Sequence, residues 1–97
     1  MTYCFDIDGT LCEQEAEDYS IARPFLDRIQ KVNALFDRGH RIILFTARGS
    51  RSGIDWREKT RAQLDEWGLR YHELILGKPH ADFYIDDKAI HPDHFDW

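Results

Sequence analysis

Residues 3–12 of the chain read YCFDIDGTLC, and this stretch decides the fold. Tyr3–Ile7 is a short apolar run rich in residues that favour β-strands, which predicts a buried strand. The run stops at an Asp-Gly-Thr sequence, where Gly9 permits a tight turn and the hydroxyl of Thr10 can fix that turn by bonding to the backbone. A buried strand that leads directly into such a turn predicts a functional loop at its carboxyl end.

Beyond this stretch, apolar strands alternate with amphipathic helices. A helix is predicted from Pro24, in its first turn, to a stop at Gly39. A second helix is predicted to be capped by Asp55 or Ser52 and to end at Gly68. Further strands are predicted at Arg41–Thr46, Tyr71–Leu76 and Phe83–Ile85. The alternation predicts a single α/β domain over residues 1–97, a Rossmann-like parallel sheet sandwiched by helices.

The composition is that of a globular domain, with 42% hydrophobic and 32% charged residues in a chain of 97. The net charge of −5 argues against a nucleic-acid binder driven by general electrostatics, but it is compatible with a small phosphorylated substrate. No apolar run approaches the ~20 residues that span a bilayer, and no signal-peptide pattern follows Met1, so no membrane partner is expected. Cys4 and Cys12 lack the spacing of a zinc framework, which predicts free thiols in a reducing cytoplasm.

Each predicted strand is followed by residues that can do chemistry. The carboxyl ends of parallel strands meet at one edge of a sheet, where ligands bind in open α/β folds. The residues at this edge are Asp6 and Asp8, then Thr46, then Lys78, and finally Asp86 and Asp87. Because Asp6 and Asp8 are two residues apart, they can flank one reacting group. One carboxylate could attack phosphorus while the other protonates the leaving oxygen.

The other residues at this edge would supply positive charge and hydrogen bonds. A carboxylate that attacks an anionic phosphate needs its charge neutralised. Mg²⁺ prefers oxygen ligands and would fit between Asp6 and the Asp86/Asp87 pair. Lys78 and the hydroxyl of Thr46 would hold the phosphoryl oxygens that do not bridge to the leaving group. These residues therefore predict phosphoryl chemistry.

Four motifs resemble, in order, those of the haloacid dehalogenase (HAD) superfamily phosphatases: DIDGT at 6–10, FTAR at 45–48, GKP at 77–79 and YIDD at 84–87. The resemblance covers residues 3–88 and implies Asp6 as the nucleophile and Asp8 as the general acid/base. It implies that the substrate phosphate is bound by Thr46, Ala47, Arg48 and Lys78. It also implies magnesium bound by Asp6, the Asp8 carbonyl, and Asp86 with or without Asp87.

Within that superfamily the chain is similar to a small capless branch described as capsule-biosynthesis phosphatases, through the strings ARPF, TARG, YHELILGKP and YIDDKAI. The stretch before the first helix is too short to hold a cap domain, so the resemblance implies an open site. A second copy of the chain could cover that site as a homo-oligomer, or packing by Phe95 and Trp97 could stabilise the short chain. The implied substrate is a sugar phosphate or another intermediate of polysaccharide biosynthesis.

Other functions remain open at this point. A phosphotransferase or mutase would use the same motifs, but it would have to exclude water from the aspartyl-phosphate, which an open site does poorly. A phospho-accepting receiver domain has its acidic pair at the first strand and its acceptor at a later one, the reverse of the order here. A binding module without catalysis would not need the full set of reactive groups. Hydrolysis is therefore favoured.

The sequence leaves several residues with two interpretations. Arg48 and Arg51 suit either an anion contact or a solvated loop. Trp56 suits either the core or a contact with substrate. The acidic residues between the first strand and the first helix suit an exposed flap that would disfavour polyanionic substrates: Glu13, Glu15, Glu17 and Asp18.

Overall fold

A computed structural model describes residues 1–13 and 19–97 of the chain. Three strands, β1, β2 and β3, form one parallel sheet in that order, at Thr2–Phe5, Arg41–Thr46 and Glu73–Leu76. Helix α1, Leu26–Asp37, connects β1 to β2, and helix α2, Arg57–Glu66, connects β2 to β3. Short 3₁₀ helices lie at Tyr19–Ile21 and Pro92–His94. This β-α-β-α-β arrangement is Rossmann-like, and none of its helices within the described ranges is long and apolar enough to cross a membrane.

The strands follow the prediction closely. Strand β2 has the predicted bounds, whereas β1 ends at Phe5 because the Ile7 carbonyl accepts bonds from three later backbone N–H groups and starts a turn. Strand β3 begins at Glu73 rather than Tyr71. The reason is that the backbone N–H of Ile42 donates to His72 Nδ1 at 3.0 Å, so a side chain takes the place of the first ladder bond.

The helices begin later than predicted. Helix α1 starts two residues after Pro24, because Pro24 forms a bridge with Cys12 and the backbone N–H of Phe25 donates to Leu11. Helix α2 starts at Arg57, whose backbone N–H donates to Asp55 Oδ1 at 3.0 Å. Of the two predicted caps, Asp55 is thus the one that satisfies an N–H of the first turn of the helix.

Both helices pack on one face of the sheet. Phe5 lies beside Leu44 in the register of the parallel ladder, and both side chains are buried in the core. The same cluster contains Ile42 from β2 and, from the helices, Ile29, Val32, Leu35 and Leu64. Residues of a strand alternate between faces, so the buried set defines the covered face. At the carboxyl end of the chain, Phe95 and Trp97 pack against the edge of this cluster, with the ring centroids of Trp97 and Phe5 5.7 Å apart. The predicted packing by Phe95 and Trp97 is thus confirmed.

The opposite face of the sheet is open. Its alternate residues are Cys4, which is exposed, Ile43 and Phe45, which are half-buried, and Ile75, which is 40% exposed. Parallel sheets are ordinarily covered on both faces. The prediction of a sheet sandwiched by helices is therefore not met by residues 1–13 and 19–97, in which only one face has helices.

The predicted strand at Phe83–Ile85 is wrong. The segment is not paired with the sheet, and Phe83 and Ile85 are 82% and 98% exposed. The hydroxyl of Tyr84 donates to the Pro79 carbonyl, so the segment bends back on the loop that precedes it. Three apolar residues are a weak strand signal when local bonds compete. Of the predicted acidic flap, Glu13 is exposed and residues 15, 17 and 18 lie outside the described residues.

Gly49 lies in the loop after β2 with φ of +79°, and a Cβ there would collide with the carbonyl oxygen of Ile54. Gly53 has a similar φ of +76° but open space around it. Replacing Gly53 by alanine should cost about 1 kcal/mol of unfolding free energy, from the backbone alone. Replacing Gly49 by alanine should cost at least about 3 kcal/mol, because the collision adds to it. Urea denaturation of the two variants checks this, and equal losses would contradict the packing of this loop.

Candidate active site

Asp6 is the first residue after β1, and its carboxylate lies between two groups that could serve a phosphate. Lys78 Nζ lies 3.6 Å from Asp6 Oδ1, and the Thr10 hydroxyl lies 3.5 Å from Oδ2, at the limit of a hydrogen bond. The backbone N–H of Thr10, rather than its side chain as predicted, fixes the turn through a 3.1 Å bond to Ile7. The Asp6 side chain remains 34% exposed, so its oxygen is accessible to a substrate.

The electrostatic setting of Asp6 combines two opposing effects. Burial raises the pKa of Asp6 above its ordinary value, and the positive charge of Lys78 only partly offsets this. Asp6 therefore loses its negative charge at a higher pH than an exposed aspartate does. A carboxylate whose negative charge is less well solvated is also a better nucleophile toward phosphorus.

Asp8 is held by a buried arginine. Arg48 Nε donates to Asp8 Oδ2 and Arg48 Nη2 donates to Asp8 Oδ1, both at 2.9 Å. The side chains of Arg48 and Asp8 are only 1% and 12% exposed. Paired N–H donors to a carboxylate fix its orientation as well as its charge. Asp8 therefore has one defined orientation beside Asp6.

The rest of the Arg48 guanidinium is bound to α2. Its Nη1 donates to Gln63 Oε1 at 2.7 Å and lies 3.3 Å from Thr60 Oγ1. Its carbon lies 4.8 Å from the centre of the Tyr19 ring. The predicted role of Arg48 as a phosphate ligand requires donors exposed at the rim, whereas here the donors point to Asp8 and α2.

Thr46 and Lys78 join the loops that follow β2 and β3. The backbone N–H of Lys78 donates to the Thr46 carbonyl at 3.1 Å, and Ser50 Oγ donates to the Lys78 carbonyl at 2.7 Å. The hydroxyl oxygen of Thr46, which is 1% exposed, accepts from the backbone N–H of Arg48 at 3.1 Å. Ala47, the other predicted phosphate ligand, is half-buried in the same loop. The Lys78 side chain is 18% exposed, and its ammonium group is the cation beside Asp6.

The predicted magnesium ligands are not assembled. Asp86 and Asp87 are exposed in a turn, where the backbone N–H of Lys88 donates to Asp86 Oδ1 at 2.9 Å and lowers the pKa of Asp86. Within residues 1–13 and 19–97, no group of three or more His, Cys, Asp or Glu side chains could hold a metal. The structure thus brings Asp6 and Asp8 together with Thr46 and Lys78, and leaves the acidic pair outside. The four predicted ligand residues therefore do not surround one point within the described part of the chain.

Comparison with solved structures identifies a relative of this chain. A crystal structure of a protein target from Vibrio cholerae is similar, with a TM-score of 0.86 and 31% sequence identity over 95% of this chain and 84% of that chain. The chain belongs to the same family as this Vibrio cholerae protein. A scan with protein-family models gives no match, and a search of curated proteins gives no significant match.

Structures of the Pnkp1/Rnl/Hen1 complex, in one case described as an RNA repair complex, contain chains of similar fold. Both matches have a TM-score of 0.62, at 21% and 19% identity. They cover 89% and 86% of this chain, but only 30% and 27% of those longer chains. At this identity the likeness shows the fold alone.

Two contacts at the candidate active site could not be predicted from the sequence of this chain. Arg28 of α1 donates through Nη1 to the Thr10 carbonyl at 2.9 Å and braces the turn after β1 from 18 residues away. Gln63 of α2 anchors Arg48 and also donates through Nε2 to the Tyr19 carbonyl at 2.8 Å. Arginine and glutamine on helices ordinarily indicate a solvated surface, so neither role has a recognisable sequence signal.

A cleft of about 250 Å³ adjoins the buried arginine, and its lining includes Tyr19, Arg48, Trp56, Lys59, Gln63 and Glu66. Trp56 is half-buried in this lining rather than in the core cluster, and its ring meets that of Tyr19 edge-on at 4.9 Å. Arg48 lines this cleft and also binds Asp8. Arg51 is exposed in the loop after β2, which agrees with the interpretation of this residue as part of a solvated loop.

The two thiols of the chain are free, as predicted, but they differ in environment. Cys12 is fully buried with Sγ 3.4 Å from Asp8 Oδ1, and burial, with the Asp8 charge, raises the pKa of Cys12 to about 12. Cys4 is exposed on the open face of the sheet. Burial raises the pKa of Cys4 as well, but its thiol is accessible. We therefore expect a disulfide reagent at pH 8 to modify Cys4 in the native chain and Cys12 only after unfolding. Rapid modification of both thiols in the native chain would contradict this burial.

Proposed function

We propose that the chain is a HAD-type phosphohydrolase that cleaves a phosphate monoester through an aspartyl-phosphate on Asp6. One observation carries the proposal: the accessible Asp6 carboxylate lies 3.6 Å from the ammonium group of Lys78, at the end of a buried strand. Asp8 follows two residues later in a fixed orientation. A nucleophile, a proton donor and a cation for the phosphoryl group thus share one edge of the sheet.

In the first step, an Asp6 carboxylate oxygen attacks phosphorus and the bond from phosphorus to the ester oxygen breaks. Asp8 gives its proton to that oxygen, so the leaving group departs as an alcohol. In the second step, Asp8 removes a proton from water, the water oxygen bonds to phosphorus, and the bond to Asp6 breaks. Inorganic phosphate leaves and both aspartates return to their starting state. Lys78 offsets the phosphoryl charge throughout.

Water is the favoured acceptor in the second step. The Asp6 side chain is 34% exposed, so an aspartyl-phosphate formed there would be reached by solvent. A phosphotransferase or mutase of the same chemistry would have to exclude that water. The exposure of Asp6 therefore supports hydrolysis over transfer, whereas a binding role without catalysis would leave the Asp6–Lys78 pair without a use.

The finer parts of the proposal depend on the motif resemblance. They are a capless HAD-like fold, a requirement for Mg²⁺, a cytoplasmic location, and a substrate that is a sugar phosphate or another polysaccharide-biosynthesis intermediate. When bound, Mg²⁺ would neutralise phosphoryl charge. Asp86 and Asp87 are exposed in the structure, so the motif resemblance is what supports the Mg²⁺ requirement.

The test is phosphate release from a panel of sugar phosphates, nucleoside monophosphates and p-nitrophenyl phosphate. The native chain is assayed with Mg²⁺ and with EDTA, beside the Asp6→Asn variant. Release by the native chain that disappears in the variant supports the proposal, and its loss with EDTA supports the metal requirement. A folded native chain that releases no phosphate from any ester would overturn the proposal.

A further inference from the structure

The Asp8–Arg48 pair carries an inference that rests on the proposed function and adds a residue to it. We propose that Arg48 is a positioning residue, which fixes the rotation of the Asp8 carboxylate and leaves Asp8 Oδ2 as the oxygen that transfers the proton. In this role Arg48 acts on the reaction through Asp8 and does not touch the phosphate.

The geometry of the pair supports the first part of this proposal. Two parallel N–H···O bonds of 2.9 Å join the guanidinium to both carboxylate oxygens, so the carboxylate cannot rotate without breaking both. The guanidinium is itself fixed, because Nη1 bonds to Gln63 on α2 at 2.7 Å. A chain of two contacts therefore ties Asp8 to a helix of the scaffold. A lysine could supply the charge but not this planar set of donors.

A count of the acceptor sites on Asp8 supports the second part. Each carboxylate oxygen can accept two hydrogen bonds. Arg48 uses one site on each oxygen, and the Cys12 sulfur lies 3.4 Å from Oδ1, nearer than its other possible acceptor, the Ile7 carbonyl at 3.6 Å, so it crowds the second site on Oδ1. Among the described residues, no second donor to Oδ2 is found. A proton carried toward the leaving group, or taken from water, therefore has Oδ2 as its site.

Two other roles for Arg48 give different expectations. A phosphate ligand would change the affinity of the enzyme for phosphate. A purely structural ion pair would act on folding whether or not Asp8 takes part in catalysis, since breaking a buried pair leaves an uncompensated charge. A positioning residue instead changes kcat, leaves phosphate affinity alone, and has no effect once the Asp8 carboxylate is gone.

The experiment compares Arg48→Met, Asp8→Asn and the double variant, with Arg61→Lys on the exposed side of α2 as the control. For each we measure kcat and KM on the best ester of the panel, and inhibition by inorganic phosphate. Arg48→Met is expected to lower kcat by about 10- to 100-fold, the usual effect of a displaced catalytic group. KM and phosphate inhibition should stay within about 2-fold, and the double variant should match Asp8→Asn.

Arg48→Met leaves the Asp8 charge buried and unpaired, so this variant could fail to fold. A second variant therefore tests the same proposal with the ion pair intact. Gln63→Leu keeps the ion pair and the Thr60 contact, and removes the shorter Arg48 contact on α2 together with the Gln63 bond to the Tyr19 carbonyl. A smaller fall in kcat with unchanged phosphate inhibition is therefore expected. A roughly 10-fold weaker phosphate inhibition in either variant would overturn the proposal in favour of a phosphate ligand. An equal loss of kcat with and without the Asp8 carboxylate would overturn it in favour of a structural pair. Absence of turnover in the native chain would instead refute the proposed function itself.

Discussion

The Asp6→Asn variant is expected to release phosphate at least about 10³-fold more slowly than the native chain, because an amide oxygen is a poor nucleophile. Asparagine has nearly the same shape as aspartate, so the turn after β1 and the position of Lys78 should be kept. The loss should appear in kcat for every ester in the panel, since all share the attack on phosphorus. Asp65→Asn, an exposed position on α2, is the matched control and should retain full activity.

The same variant should be at least as stable as the native chain at neutral pH. Burial raises the pKa of Asp6 in the folded state above its ordinary value of 3.8. Protonated Asp6 therefore favours the folded state more than ionised Asp6 does. This contribution to the free energy of unfolding is fully present below the ordinary pKa and is lost as pH rises through the higher folded-state pKa. At pH 7 the ionised Asp6 therefore lowers stability, and asparagine removes this effect. Thermal unfolding at pH 7 checks the expectation, and a lower Tm would mean that lost activity reflects damage to the fold.

The Lys78→Met variant should have a kcat/KM about 10²- to 10³-fold lower, the usual effect of removing one group that stabilises the transition-state charge. It should also change the pH dependence. The Lys78 charge lowers the pKa of Asp6 against the effect of burial, so its removal raises that pKa further. Because attack requires the ionised carboxylate, the acid limb of the pH–rate profile should move to higher pH.

Lys31→Met on α1 is the control for the loss of a lysine. The Lys78→Arg variant tests whether a positive charge at this position is enough to keep the native pH–rate profile. Lys78→Arg should restore the acid limb of the native profile, because it restores the positive charge near Asp6. An acid limb that stays in place in Lys78→Met would show that the 3.6 Å contact does not govern the ionisation of Asp6. That result would remove the observation on which the proposed function depends.

The parts of the fold predicted correctly from the sequence are those with strong local signals. Strand β2, Arg41–Thr46, is an uninterrupted apolar run and has the predicted bounds. The parallel sheet followed from its alternation with helices, and it places Asp6 and Lys78 at one edge. Glycines at the ends of both helices marked their stops. The alternation did not reveal that both helices pack on the same face.

The errors arise where distant or competing contacts decide the structure. Phe83–Ile85 has the residue types of a strand, but the bond from Tyr84 to Pro79 holds the segment away from the sheet. Arg48 stands 40 residues from Asp8 in the chain, and nothing in a loop arginine indicates burial against a carboxylate. Whether the site works as proposed, and with which metal and ester, stays a prediction.

The link from Asp8 through Arg48 to Gln63 also sets an order of events when the chain is made. Asp6 and Asp8 are synthesised first, but Arg48, its contact Gln63 and Lys78 belong to later segments: the loop after β2, α2 and the loop after β3. Such contacts between distant segments form only after the intervening chain has folded. A nascent or truncated chain that stops before Lys78 would therefore carry its reactive carboxylates in an inert form.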